Sequence, residues 1–276
     1  MKRREFLKRS LAASALTGTA AGALSVVAAD REPSGKREYY EWRVYHLKSP
    51  GDAAVLHEYL QGAAIPALNK LGVKPVGVFT QMERKVAQAK EELRDESAVW
   101  MLIPYPTLEV FATATARVNA QMESEKAGAT YLRAAKSSPS FERIESWLML
   151  AFSGMPRIEL PPYSREKRAR MFEVRTYESH SELKALKKVS MFNSGEIEVM
   201  RKVGLGPVFY GQALIGHALP HLTYMLSAEN EDEHKKHWGV FRDDPTWKSM
   251  SADPQYADTV SKITNRFLVP AAYSQV

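Results

Sequence analysis

The chain contains no cysteine among its 276 residues. Without a thiol, the protein cannot use a thiolate nucleophile, form a disulfide, or hold a cysteine-ligated zinc ion or an iron-sulfur cluster. The lack of disulfides is still compatible with export, because a chain of this length can bury a sizeable hydrophobic core without them.

The sequence also lacks the short motifs that identify many enzymes. It contains no G-x-S-x-G, no H-E-x-x-H, no Walker loop and no G-x-G-x-x-G before a helix. The segment VGLGP at residues 203–207 precedes a predicted strand, so we interpret it as a turn rather than a phosphate-binding loop. The motifs therefore support no hydrolase, metalloprotease or nucleotide enzyme, and we expect neither a metal site nor a cofactor. They identify no catalytic residue.

There is little excess charge beyond Ala29. The net charge is +6, but the segment up to Ala29 holds five Lys/Arg and one Glu, which leaves 33 basic and 31 acidic groups. With no Lys/Arg stripe and no recognisable recognition motif, we expect no nucleic-acid partner. The remaining composition is typical of a globular protein, and the chain is long enough for two domains.

Residues 1–29 have the organisation of a signal peptide. A basic start, MKRREFLKRS, precedes an uncharged run of small and apolar residues that ends at Ala29. The segment RREFLK at residues 3–8 resembles the twin-arginine export motif, whose substrates cross the membrane folded. We therefore expect a periplasmic or extracellular protein with no membrane contact after cleavage. A retained membrane anchor is the alternative, although the run is rich in Ala, Ser, Thr and Gly and weakly apolar for a permanent span.

The rest of the chain contains an internal repeat. At one constant offset, EWRVY at 41–45 matches EVRTY at 173–177. Further on the offset becomes shorter and aligns 97–106 with 220–229. A period this long indicates duplicated domains rather than a solenoid.

The repeat sets the expected domain boundaries. We place the first domain at residues 37–153 and the second at residues 171–276. The segment between them, residues 154–170, is rich in proline and charge and is interpreted as a linker.

Each copy has the predicted order strand, helix, strand, strand, helix, strand. The first helices, at 52–71 and 181–203, each end just before a glycine in the position of a helix C-cap. The βαββαβ order is the ferredoxin-like pattern, an α+β fold whose helices cover only one face of the sheet. Because a bare sheet face needs a partner, we predict that the two sheets close on each other within the chain to form one α/β barrel.

A charged pair recurs in the first strand of each copy. Side chains alternate along a strand, so Glu41, Arg43 and Tyr45 share one face while Trp42 and Val44 share the other. We predict that the charged face points into the barrel interior in both copies, and that Trp42 and Val44 pack under the helices.

The repeated triads are the candidate ligand-binding residues. They are Glu41, Arg43 and Tyr45 in the first copy, and Glu173, Arg175 and Tyr177 in the second. In such a triad the arginine could hold a carboxylate or an enolate while the tyrosine donates a hydrogen bond. The alternative is a buried ion pair that fixes strand register or domain pairing and touches no ligand.

Two histidines have metal-like spacing. His234 and His237 lie three positions apart in the charged sequence NEDEHKKHW, which predicts a solvated helix face with Trp238 turned inward. That setting does not favour zinc or haem ligation.

Three features of the chain occur together: the E-x-R-x-Y strand, the Gly-x-x-Pro before the second strand, and HWGVFRDDPTW at residues 237–247. With them the chain resembles the NIPSNAP family, a member of the dimeric α/β-barrel superfamily. The resemblance is good over residues 171–276 and weaker over residues 39–152, where the counterpart of this last segment lacks the Trp and the Asp-Pro-x-Trp. It implies a fold more firmly than a reaction.

We therefore expect an exported protein that binds a small, partly apolar molecule within the barrel. One alternative is a cofactor-independent oxygenase or isomerase of the kind this superfamily supports. Another is a structural or protein-interaction module whose barrel is filled by side chains. The volume of the chamber discriminates between these classes. The sequence leaves the ligand open, and it also leaves a homo-oligomer open.

Overall fold

The computed structural model describes residues 36–48, 52–84, 92–122 and 126–276. These residues all belong to one compact unit. The predicted signal peptide lies outside them. Within the described part of the chain, no helix is both long and apolar enough to cross a membrane.

The described residues form eight strands. They are β1 Tyr39–His46, β2 Gly77–Gln81, β3 Ala98–Tyr105, β4 Arg143–Ala151, β5 Met171–Glu178, β6 Pro207–Ile215, β7 His221–Ala228 and β8 Lys262–Pro270. All neighbouring strands are antiparallel, and the order β1-β3-β2-β8-β5-β7-β6-β4 closes into a barrel through the pairing of β4 with β1.

Most helices lie in the intervals that the repeat predicts, but the short α5 lies in the segment interpreted as a linker. They are α1 Ala53–Tyr59, α2 Ile65–Lys70, α3 Leu108–Met122, α4 Lys126–Leu132, α5 Pro162–Arg165, α6 Glu182–Met191, α7 Ile197–Lys202, α8 Glu231–Asp243 and α9 Pro245–Ala252. Local chemistry explains several of the boundaries. Ser181 accepts a hydrogen bond from the Lys184 amide at the start of α6, and Gly204 has a φ of 83° just beyond the end of α7.

Each predicted long helix contains one π-helical turn at the same place in the repeat. Leu60–Ala64 joins α1 to α2, and Phe192–Glu196 joins α6 to α7. The offset that separates these turns is the same one that relates Glu41 to Glu173 in the sequence. A π-turn rotates the residues that follow it around the helix axis, and such turns are frequent at functional sites.

The topology confirms the predicted fold class. Strands β4-β1-β3-β2 form the sheet of the first copy and β8-β5-β7-β6 that of the second, each in the ferredoxin-like order. The copies join edge to edge along two seams, β2 with β8 and β4 with β6. Each edge strand thus finds a partner and leaves no open sheet edge.

The predicted orientation of the first strand is wrong. Trp42 and Val44 point into the barrel interior, where they pack with Phe172 and Met225 of the second copy. Tyr45 lies on the opposite face and packs beneath the first helices. In a closed barrel the strands are buried on both faces, one by the interior and one by the helices. A charged face can therefore lie on either side, and the charge alone does not place it in the interior.

Aromatic side chains from both copies fill much of the barrel interior. Tyr40 contacts Phe209 with ring centroids 5.1 Å apart, and Phe79 contacts Phe172 at 5.0 Å. All four are fully buried. Both contacts cross from one copy to the other, so the interior also holds the two halves together.

Candidate functional site

The triad of the second copy lies on β5, between the sheet and α8. Arg175 Nη1 donates to Glu173 Oε1 at 2.7 Å, and Arg175 Nε donates to the hydroxyl of Tyr177 at 3.3 Å. Residues two apart on a strand share a face, which brings all three side chains together. The guanidinium also lies 5.0 Å above the ring of Trp238.

Glu173 accepts hydrogen bonds from three further side chains. His234 Nε2 lies 2.7 Å from Oε2, Trp238 Nε1 donates to the same oxygen at 2.8 Å, and Asn265 Nδ2 donates to Oε1 at 3.0 Å. His234 and Trp238 are one helical turn apart on the inner face of α8. The carboxylate is therefore held by two strands and one helix.

This environment fixes the charge state of the pair. Burial alone would raise the pKa of Glu173, but the Arg175 charge and the bonds from His234 and Asn265 outweigh it and hold the pKa well below its usual range. Burial would likewise lower the pKa of Arg175, yet the nearby Tyr224 hydroxyl and the Glu173 carboxylate leave that pKa raised. Both groups are charged at neutral pH.

A cavity of about 580 Å³ opens above this triad. The triad forms its floor, and Trp238, Phe241 and Trp247 line the helical side. Arg175 Nη2 has no hydrogen-bond partner among the described residues, and 19% of the Arg175 side chain is exposed. The cavity thus combines aromatic walls with an available guanidinium N–H.

A second buried ion pair adjoins the cavity. Lys188 Nζ lies 2.8 Å from Glu196 Oε2, and the ammonium is 4.7 Å from the ring centroid of Phe192 and 5.5 Å from that of Trp247. Glu196 ends the π-turn and lines the cavity. Burial raises the pKa of Glu196, and the nearby Lys188 offsets that effect only in part.

Two tyrosine hydroxyls connect the triad to the next strand. The hydroxyl of Tyr177 lies 2.8 Å from that of Tyr224, and both side chains are buried. Burial is the main cause of the raised pKa of Tyr224, so this phenol is neutral at ordinary pH. It can act as a hydrogen-bond donor.

The first copy contributes one side chain to the rim of this cavity. Arg84 bonds to Glu92 and donates to Glu231 at 2.7 Å, while its guanidinium lies 3.8 Å above the ring of Phe267. The bond from Arg84 is the main cause that lowers the pKa of Glu231 to about 2. Arg84 therefore links the rim to the first residue of α8.

The first copy repeats the charged pair but not the cavity. Arg43 donates to Glu41 through Nε at 2.7 Å and Nη2 at 2.9 Å, and Tyr105 and Ser146 donate to the same carboxylate at 2.9 and 2.8 Å. The space beside Arg43 is only about 30 Å³. There the pair is satisfied entirely by its neighbours.

Larger side chains and apolar replacements explain the difference between the copies. In the first copy Tyr59 on α1 stacks on Tyr131 on α4, with ring centroids 3.8 Å apart. Helix α3 is the counterpart of α8 at the shorter of the two repeat offsets, so Phe111 occupies the place of His234 and Thr115 that of Trp238. The polar cluster around the carboxylate is therefore specific to the second copy.

The six predicted site residues form two separate triads. They do not meet across the barrel, because each triad faces the helices of its own copy. The expected solvated position of His234 is also wrong, since only 2% of this residue is exposed. His234 has charged neighbours in the sequence, which led us to predict a solvated position, but its side chain points inward.

Four more site residues were missed by the sequence analysis: Lys188, Glu196, Tyr224 and Asn265. One available signal was the repeat itself. At the offset that aligns the two triads, Lys188 and Glu196 replace Leu56 and Ala64 of the first copy, which is an unusual exchange for buried positions. Among the residues that the structure describes, no group of three His, Asp or Glu side chains could hold a metal ion.

Comparison with known proteins agrees with this architecture. The NIPSNAP family model matches residues 172–275, which lie in the second copy. An assigned monooxygenase from Fusobacterium nucleatum superposes with a TM-score of 0.53 at 12% identity, covering 85% of this chain and 93% of that one. An assigned monooxygenase from Lactobacillus acidophilus gives a TM-score of 0.52 at 6% identity, covering 85% and 94%.

A NIPSNAP-like domain protein from Burkholderia xenovorans matches a single copy. It gives 18% identity and a TM-score of 0.35, covering 39% of this chain and 90% of that one. No curated protein matches the chain. At their identities the Fusobacterium and Lactobacillus structures support the fold of the protein and not its reaction.

Proposed function

We propose that this protein binds a small, partly apolar anion in the cavity of the second copy. The observation that carries the proposal is the contrast between two related sites, one with a cavity of about 580 Å³ and the other with about 30 Å³. Both contain the Glu-Arg-Tyr triad. Only the second copy adds the aromatic wall, the buried histidine and the Lys188–Glu196 pair.

The lining residues define the chemistry of the ligand. Trp238, Phe241 and Trp247 offer apolar and aromatic surface, while Arg175 offers an unpaired N–H at the floor. Glu173 already accepts four side-chain hydrogen bonds and has little capacity for a ligand. A ligand with an apolar body and one carboxylate, phenolate or enolate oxygen fits this arrangement.

The sequence analysis placed the site inside the barrel, but this cavity lies outside the barrel interior. In the first copy the triad is better described as a structural ion pair, because its charges are satisfied and its cavity is filled. The structural alternative thus applies to one copy and the binding function to the other.

Proton transfer is a second candidate function. Glu196 is buried, lines the cavity and has a raised pKa, so it combines the position and the basicity of a general base. A substrate deprotonated there would become an enolate or phenolate that Arg175 could stabilise. This would suit a cofactor-independent oxygenase or isomerase, and two assigned monooxygenases share the fold.

We also propose that the protein acts after export. The twin-arginine-like leader supports this location. A folded precursor would carry its ligand site across the membrane intact.

The binding proposal is tested with paired variants of the two copies. The double variant Glu173→Gln with Arg175→Leu removes the triad charges without leaving an unpaired ion, which keeps the loss of stability small. The matched control is Glu41→Gln with Arg43→Leu. Anilinonaphthalene sulfonate, an apolar anion, serves as the fluorescent probe for all proteins.

We expect the second-copy variant to bind the probe at least about tenfold more weakly than the wild type. The first-copy variant should bind it normally. Equal binding by the two variants would contradict the proposal. Native mass spectrometry of protein from its exported compartment then reveals any retained molecule as added mass.

A further inference from the structure

A second cavity, of about 310 Å³, lies inside the barrel at one end. Its lining includes Trp42 and Val44, whose side chains point into the interior. The aromatic residues that make contacts between the copies, Tyr40, Phe79, Phe172 and Phe209, do not line it. Of its lining residues this cavity shares only Asn265 with the triad site, and it shares none of that site's charged residues. Its volume suits a single substituted aromatic ring.

The two copies contribute walls of different chemistry. The first copy supplies three tryptophans, and the second supplies three threonines. They are Trp42, Trp100, Trp147, Thr176, Thr223 and Thr264. The hydroxyls of Thr176 and Thr223 lie 2.8 Å apart. One side of the cavity therefore presents flat aromatic surface and the other presents hydrogen-bonding groups.

Arg266 lies on the polar wall without a counter-ion. Its guanidinium is 4.6 Å above the ring of Trp100 and donates one long hydrogen bond, 3.4 Å, to the Leu93 carbonyl. No carboxylate of the described residues forms an ion pair with it. Burial lowers the pKa of Arg266 to about 10, and a weak attraction to Asp95 does not compensate. Arg266 is partly exposed, so its guanidinium can be reached from the cavity and can pair with an anion that enters it.

The carboxylates at the mouth are already engaged. Asp95 and Glu145 flank His46 at 3.4 and 3.3 Å, and Glu178 bonds to Lys262 at 3.0 Å. Lys262 offsets the charge of Glu178, but Asp95 and Glu145 share one histidine, so at least one negative charge remains there and would repel a second negative group on a ligand. The cavity therefore suits a ring with one carboxylate. The group on the opposite side of the ring, which faces the mouth, should be neutral or a hydrogen-bond donor.

We propose that this cavity is a second binding site, specific for small planar monocarboxylates whose carboxylate pairs with Arg266 while the ring lies against the tryptophan wall. Arginine suits this role because its planar fork of N–H groups matches a carboxylate. The site would exist only in the closed barrel, since each copy supplies one wall.

The test uses ligand-observed fluorine NMR with para-fluorobenzoate and its neutral isostere, para-fluorobenzamide. We expect wild-type protein to bind the carboxylate at least about tenfold more tightly than the amide. Arg266→Gln should abolish that preference and leave the weak binding of the amide unchanged. A second variant, Thr264→Phe, keeps the arginine but places a ring in the cavity, and it should weaken both probes.

Three outcomes would overturn the proposal. They are equal affinities for the two probes, unchanged carboxylate binding in a folded Arg266→Gln variant, and no carboxylate binding by the wild type at millimolar concentration. Terephthalate, measured by its displacement of para-fluorobenzoate, should bind more weakly than that probe, because its second carboxylate meets the acids at the mouth. Tighter binding of terephthalate would count against the assigned orientation.

The same variants separate this site from the triad site. Glu173→Gln with Arg175→Leu should leave para-fluorobenzoate binding unchanged, and Arg266→Gln should leave the sulfonate probe unaffected. Loss of carboxylate binding in the triad variant alone would move the carboxylate site to the second-copy cavity. That result would refute the barrel site and support the triad site.

Discussion

Lys188 and Glu196 form an ion pair of 2.8 Å between two side chains that are 6% and 2% exposed. They replace a leucine and an alanine at the same positions of the first copy. A buried ion pair is weak evidence of stability, because removing two charges from water offsets much of their attraction. Its presence beside a cavity in only one copy therefore suggests a role in that cavity.

Replacing the pair one residue at a time should separate its contribution to stability from its role in the cavity. Lys188→Leu leaves Glu196 buried without its partner, and we expect a loss of about 3 to 5 kcal/mol in unfolding free energy. The double variant Lys188→Leu with Glu196→Ala has the same two residue types as the first copy, and it should recover most of the lost unfolding free energy. Denaturant unfolding measures both. The control is Lys235→Leu, whose exposed bridge to Glu231 should contribute less than about 1 kcal/mol.

A loss in Lys188→Leu no larger than in the control would show that the ammonium is effectively solvated. Recovery of stability in the double variant together with loss of probe binding would assign the pair to function. Recovery of both would make it dispensable for binding.

Acid should destabilise the protein partly through Glu173. Its folded pKa lies below the ordinary value of 4.5. At any pH between these two pKa values the folded state therefore binds fewer protons than the unfolded state. Its contribution to stability is therefore complete above pH 4.5 and disappears as the pH falls through the folded pKa. The deficit of Glu173→Gln relative to wild type, measured by denaturant unfolding, should shrink on acidification.

Glu196 should have the opposite slope. Its folded pKa is raised above 4.5, so its ionisation lowers stability as the pH rises from 4.5 through the folded value. Glu196→Gln should remove that decline. Parallel pH profiles for Glu173→Gln and Glu196→Gln would contradict the assigned pKa directions.

The isolated second copy should not be a stable monomer. Residues 166–276 would expose the apolar face that contains Phe172 and Phe209, and would leave β6 and β8 as unpaired edges. We expect a dimer or an aggregate by size-exclusion chromatography with light scattering. A folded monomer would refute the requirement for pairing within the chain.

Export should depend on the paired arginines and not on their charge alone. Changing Arg3 and Arg4 together to lysine should leave the precursor in the cytoplasm, as judged by cell fractionation. Arg9→Lys, a change outside the pair, is the matched control. Normal export of the double variant would exclude the twin-arginine route while retaining a signal peptide.

The sequence alone predicted the ferredoxin-like order of the main elements and the closed barrel. Period-two strands, helix-ending glycines at Gly72 and Gly204, and two constant offsets are local or repeating signals that need no coordinates. A ferredoxin-like sheet has one bare face, and two such sheets in one chain have an evident partner in each other. The triads were recognised for the same reason, since E-x-R-x-Y recurs at a fixed distance.

Only the tertiary structure decided which way those triads point and which copy has a cavity. Alternation divides a strand into two faces. Because both faces are buried in this barrel, the pattern does not indicate which face points into the interior and which points towards the helices. The volume beside Arg43 depends on Tyr59 and Tyr131, which are distant in sequence and meet by stacking. His234 likewise looked solvated among charged neighbours, because burial of one helix face is set by what packs against it.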